Sequence, residues 1–225
     1  MNYTLLILAV ITAVIEWVAV GKRNRKVEYF AKPAVIIFVL AWLILSGSLH
    51  QYNLLWFTVG MFFSLLGDVF LLMRREQLGF KLGLSSFLLA QICYIIAFNT
   101  PLILPGFYSV VLAGPILALV LWFGWRIFRN LNKKGLRRLS IPVFLYILTI
   151  GTMLFSALGV YFGADWKFVP AILVGLGALS FTTSDMLLAW NKFIVPIRYG
   201  RVLLMITYHL GQIVLAVGFT LQFLP

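Results

Sequence analysis

Acidic residues are scarce in this chain. Its 225 residues include six Asp and Glu against eighteen Lys and Arg, and all charged residues together make up only 11%. A single cysteine, Cys93, excludes an intramolecular disulfide. Cys93 sits in an apolar run and reads as a small packing residue. Two histidines far apart and one cysteine do not make a zinc site. No HExxH, GxSxG or Walker A sequence occurs. These gaps exclude the common metal-dependent and serine-dependent hydrolase signatures and the nucleotide-binding loop.

Apolar residues fill the space that charge leaves empty. They account for 63% of the chain, more than a soluble domain of this length can bury. The apolar runs approach the roughly 20 residues that cross a bilayer. They are continuous rather than alternating, which excludes a β-barrel. The sequence therefore predicts an all-α, polytopic membrane protein with one domain over residues 1–225. Eight spans are expected, at about 3–21, 33–49, 53–73, 83–99, 107–125, 140–161, 167–190 and 201–223. Pro33 and Pro142 are expected to open two of them, where a missing N–H costs nothing. The first run has no basic stretch before it, so it reads as a retained span rather than a cleaved leader.

The net charge of +12 would suit a nucleic-acid partner, but the basic residues fall in short loops. Seventeen of the eighteen lie after spans one, three, five and seven, counting Lys32 with the first of these loops; Lys167 alone is opposite. This asymmetry places both termini outside and the basic loops inside, against anionic headgroups. No nucleic-acid partner is expected. Short loops and the absence of targeting signals favour a bacterial inner membrane.

Against this background, Asp68 in FFSLLGDVFLLM and Asp185 in LSFTTSDMLLAW stand out. A carboxylate in hydrocarbon costs about 2.5–3.5 kcal/mol on insertion scales, so such residues mark function by default. Asp68, Asp185 and Glu16 each lie five residues before the basic end of an expected span, roughly 8 Å below the surface. If their helices adjoin, the three carboxyls surround one pocket open to the basic side. Two neighbouring carboxyls in a low dielectric do not both ionise cheaply. A neutral acid beside a carboxylate is the arrangement that acid–base hydrolysis uses. The structural alternative is that each Asp bonds nearby hydroxyls, such as Ser64, Thr182 or Ser184, and fixes packing. Glu16 is a candidate third acid, or it reaches toward Lys22 or Arg23. Gln91, Tyr94, Tyr146, Tyr208, His209 and Gln212 are polar candidates by position within spans. His50 reads as an interface residue.

A weak internal repeat accompanies the acids. The span after each Asp carries Q-I-x5-F, as QICYIIAF at 91–98 and QIVLAVGF at 212–219. Two parallel halves of four helices are one reading of this pattern.

SLLGDVFLLM, FKLGLSSFLLAQICYIIAF, GALSFTTSDMLLAWNKF and YHLGQIVLAVG, with the Lys32–Pro33 pair, resemble the YhhN family of membrane proteins, the lysoplasmalogenases. The resemblance runs from about residue 32 to residue 219. It implies eight spans and hydrolysis of the vinyl ether of choline or ethanolamine lysoplasmalogens. The products would be a fatty aldehyde and glycerophosphocholine or glycerophosphoethanolamine. It implies Asp68 and Asp185 as the catalytic acids. It adds Lys32, Tyr94, Tyr146, Asn191, Tyr208 and Gln212 as retained polar positions around a lysophospholipid substrate. Gln91 departs from the family pattern, which has His there. Vinyl ether hydrolysis needs an acid that protonates carbon and a carboxylate that stabilises the oxocarbenium ion, by analogy with glycoside hydrolysis. No metal or organic cofactor is called for. The same buried acids would also suit a proton-coupled transporter built from parallel repeats, or a lipid-binding protein without turnover.

Overall fold

A computed structural model describes residues 3–100 and 106–223. Among the described residues all regular structure is helical. The long helices are α1 (Thr4–Gly21), α2 (Arg25–Leu45), α3 (Tyr52–Leu71), α4 (Glu76–Phe98), α5 (Phe107–Lys133), α6 (Ser140–Gly159), α7 (Phe168–Ala189) and α8 (Gly200–Phe223). All eight are long and apolar enough to cross a membrane. Side chains such as Ile7, Ile11 and Val18 of α1 and Leu117 and Leu121 of α5 face outward. Such faces suit lipid, because helices satisfy their backbone groups internally.

Several helix starts differ from the sequence expectation, each for a physical reason. Helix α2 begins eight residues before Pro33, so Pro33 lies inside the helix instead of opening it. The Asn24 side chain accepts from the Val27 amide at 3.3 Å and caps the earlier start. Lys32 therefore belongs to a buried helical face and not to a loop. Helix α4 begins at Glu76, seven residues earlier than expected, and its polar first turns had disguised it. There Gly79 and Gly83 pass so close to Phe70 and Leu71 of α3 that a Cβ would collide. Helix α5 continues to Lys133, well past the apolar run.

Helices α3 and α4 form one intimate pair and α7 and α8 another. Small residues permit both approaches, as in other membrane bundles. A Cβ on Gly177 would meet the Leu215 amide nitrogen at 2.7 Å, and one on Gly211 would meet that of Phe181 at 2.7 Å. Helix α8 also touches α1, α2 and α3, so the three helices bearing Glu16, Asp68 and Asp185 all pack on it. Helix α4 packs on α6 and joins the two sets of four. Helix α5 is held mainly by α6 and by a π-helical turn, Trp190–Ile194, that continues α7.

Candidate active site

The three intramembrane acids lie near the basic ends of their helices, three residues short of the end of α3, four short of the end of α7 and five short of the end of α1. All three are buried. Their partners are recruited from different helices.

Asp68 sits between α2 and α8. Its Oδ1 lies 3.2 Å from the Lys32 ammonium, and its Oδ2 accepts from the Tyr208 hydroxyl at 2.8 Å. Asp185 sits between α4 and α6. Its Oδ2 accepts from the Tyr146 hydroxyl at 2.5 Å and from Gln91 Nε2 at 3.1 Å. Among the described residues no hydrogen bond reaches Asp185 Oδ1, and none joins the two carboxyls directly. The pattern of supply is reciprocal. Helices α2 and α6 serve the aspartate on the next helix along, while α4 and α8 reach across to the aspartate of the other four-helix set.

A closed ring of hydrogen bonds lies one turn farther from the basic end. Tyr94 donates to Gln212 Oε1 at 3.0 Å, and Gln212 Nε2 donates to Ser64 at 3.1 Å. Ser64 and Tyr94 meet at 3.2 Å. With the Tyr94 proton committed to Gln212, Ser64 is the donor in that third bond. Ser64 is one turn before Asp68, Gln212 one turn after Tyr208, and Tyr94 three residues after Gln91. The ring therefore locks the helices that position both acids, in a setting where an unpaired polar group would cost several kcal/mol.

Glu16 faces another environment. Its Oε2 is 3.8 Å from His209 Nδ1, which accepts from the Trp17 indole at 3.1 Å. Asn191 lies outside the cluster. Its Oδ1 accepts from the Ile197 amide at 2.8 Å, and its side chain fills the space above Gly200, organising the turn into α8. Glu28, which sequence reasoning passed over, is buried and takes Arg201 at 2.5 Å. Its hint was an acid one helical turn from Lys32, visible only once the helix was known to start at Arg25.

A cavity of about 50 Å³ opens between α4, α5, α6 and α7. Its wall is apolar, with Phe80, Leu84, Ile116, Phe123, Ile150 and Leu154 among its members, and among the described residues Asp185 is its only carboxyl. Tyr146 and Thr182 are the hydroxyls on that wall. Thr182 Oγ1 is buried and has no partner among the described residues. Asp68 and Glu16 do not line this cavity. Beside Asp68 stands the Lys32 ammonium instead. The sequence expectation of one pocket ringed by three acids thus takes a different form: one acid lines the cavity, and Asp68 and Glu16 are buried away from its wall.

The profile of the YhhN family matches residues 27–219. The chain belongs to the YhhN family. Curated relatives of this YhhN protein include human Lysoplasmalogenase TMEM86A, 35% identical over 164 residues covering 71% of this chain and 63% of the relative. Mouse Lysoplasmalogenase TMEM86B is 26% identical over 185 residues, 82% of this chain and 70% of that protein. A Mycobacterium bovis Lysoplasmalogenase is 28% identical over 175 residues, 73% and 60% respectively. The YhhN chain thus spans a little under two thirds of the human relative's length. No solved structure matches.

Proposed function

We propose that this protein is a lysoplasmalogenase, an alkenyl ether hydrolase that cleaves the sn-1 vinyl ether of choline or ethanolamine lysoplasmalogens. The observation that carries this reading is an apolar cavity whose single carboxyl is held by one oxygen and left open at the other. A hydrocarbon chain suits such a wall, and a proton donor is what a vinyl ether needs. Three relatives that bear the lysoplasmalogenase name support the same reading.

In this mechanism Asp185 is the acid. Its Oδ2 stays bonded to Tyr146 and Gln91, and Oδ1 carries the proton toward the cavity. The proton passes to the β-carbon of the vinyl ether, and the C=C pair forms the new C–H bond. An oxocarbenium ion results, beside a carboxylate that has just become negative. Tyr146 and Gln91 hold that charge through hydrogen bonds that strengthen as it develops. Thr182 orients the attacking water, and Asp185 takes its proton as the C–O bond forms. The hemiacetal then breaks to aldehyde and free sn-1 hydroxyl, with proton balance restored. Asp68 is the second carboxylate, fixed by Lys32 and Tyr208, and its charge favours the cationic intermediate from behind the cavity. Tyr94 and Gln212 keep both acids in register, and Glu16 remains a candidate third acid. No metal or organic cofactor enters any step.

The reciprocal supply of partners supports reading α1–α4 and α5–α8 as two parallel repeats. The basic loops support an orientation with both termini outside, in a bacterial inner membrane.

The test is aldehyde release from lysoplasmalogen by purified protein in detergent. Release is expected from the native chain, with a loss of several orders of magnitude in Asp185→Asn. If the native chain releases no aldehyde across a range of pH and detergent, the hydrolase reading is wrong. If Asp185→Asn keeps its activity, the assigned acid is wrong.

A further inference from the structure

The site as described places the bond to be broken but names no cation for the lysophospholipid phosphate. Lys32, one of the polar positions that the resemblance implies, is buried and lies against Asp68. The cavity points elsewhere. Its basic end is bordered by Phe80 and Phe193, which pack edge to face with centroids 5.7 Å apart. The Lys192 ammonium sits over the Phe80 ring, 4.2 Å from its centroid. The π-helical turn Trp190–Ile194 produces this arrangement. Its wider winding sends Phe193 into the cavity wall and leaves its neighbour Lys192 exposed at the rim. Turns of this kind recur at functional sites. Among the described residues no carboxylate lies within ion-pair distance of Lys192.

We propose that Lys192 binds the phosphodiester of the lysophospholipid at the mouth formed by Phe80 and Phe193. This rests on the hydrolase reading for the identity of the ligand. The dimensions agree with it. Lys192 is seven residues beyond Asp185, about 10 Å along the helix axis. The β-carbon of the vinyl ether is seven bonds from phosphorus, about 8 Å at the ~1.2 Å per bond of an extended chain. A substrate with its reactive carbon at Asp185 Oδ1 therefore brings its phosphate within reach of a lysine side chain. The Phe80 face holds the ammonium at the rim when the site is empty, and a phosphate oxygen gives it a stronger, charge-assisted partner.

The experiment compares the native protein, Lys192→Ala, Lys192→Arg and the control Lys22→Ala. Each is assayed on 1-alkenyl-glycerophosphocholine and on 1-alkenylglycerol, which has no phosphate. Lys192→Ala should raise KM about tenfold on the phospholipid and leave KM on the alkenylglycerol unchanged. Lys192→Arg and Lys22→Ala should stay near native on both. A Lys192→Ala effect that is equal on the two substrates, or absent from both, overturns the proposal. If the native protein releases no aldehyde from either substrate, the hydrolase reading fails on its own. Binding of 1-O-alkyl-glycerophosphocholine against 1-O-alkylglycerol then decides the Lys192 proposal by the same tenfold difference, and equal weakening of both ligands refutes it.

Discussion

Tyr146→Phe isolates the chemistry at Asp185 with the least disturbance to the fold. The ring is buried at the cavity wall, and the substitution leaves it in place. Only the hydroxyl disappears, and with it the 2.5 Å bond to Asp185 Oδ2. Gln91 Nε2, at 3.1 Å, remains as the other donor to that oxygen. In the proposed mechanism Asp185 gains negative charge as the proton leaves, so the lost bond matters more in the transition state than in the ground state. A hydrogen bond to a charged group contributes about 1.5–3 kcal/mol, which corresponds to roughly a 10- to 150-fold fall in kcat. KM should move little, because the bond does not involve the substrate. Steady-state aldehyde release by Tyr146→Phe, Gln91→Leu and the double variant measures this directly. The two losses should be non-additive, since both donors serve one oxygen. An unchanged kcat in Tyr146→Phe, or a loss confined to KM, would refute the assignment of Asp185 as the group that acquires charge.

Two further outcomes follow from the geometry. Lys32→Met leaves Asp68 buried without its cation and should lower stability by about 3–5 kcal/mol; thermal unfolding in detergent should show the loss, and Lys32→Met/Asp68→Asn should recover most of it. Equal stability of Lys32→Met and the native protein would mean that the pair does not matter. Leu154→Trp fills the cavity end about 12 Å from Tyr146 along α6. It should shift kcat/KM toward shorter alkenyl chains, and an unchanged chain-length profile would place the hydrocarbon elsewhere.

Much of the bundle was legible in the sequence because lipid imposes a simple code. Span number, the class of fold and the intramembrane acids all follow from continuous apolar runs interrupted by rare charge. Polar residues inside those runs, such as Gln91, Tyr146, Tyr208 and Gln212, could be picked out for the same reason. Their pairings could not. That Tyr208 serves Asp68 while Gln91 serves Asp185 depends on how helices distant in sequence cross, and hydropathy carries no record of it. Lys32 was misplaced, and Glu28 passed over, for a related reason. Their charge resembles loop sequence, and only partners on α3 and α8 make their burial affordable. The cavity was invisible for the opposite reason, since an apolar wall and an apolar core are written in the same residues.

The reciprocal supply of partners also bears on how the chain is made. Lys32 precedes Asp68 in the sequence, so the emerging α3 can enter the membrane with its cation already present. Asp185 is likewise preceded by both of its donors, Gln91 and Tyr146. Tyr208 and Gln212 arrive last, on the helix that touches α1, α2, α3 and α7. Until α8 is synthesised, Asp68 lacks its tyrosine and the Ser64–Tyr94 pair lacks its glutamine. Helix α8 thus completes the polar centre, and a chain truncated before it would hold that centre half made.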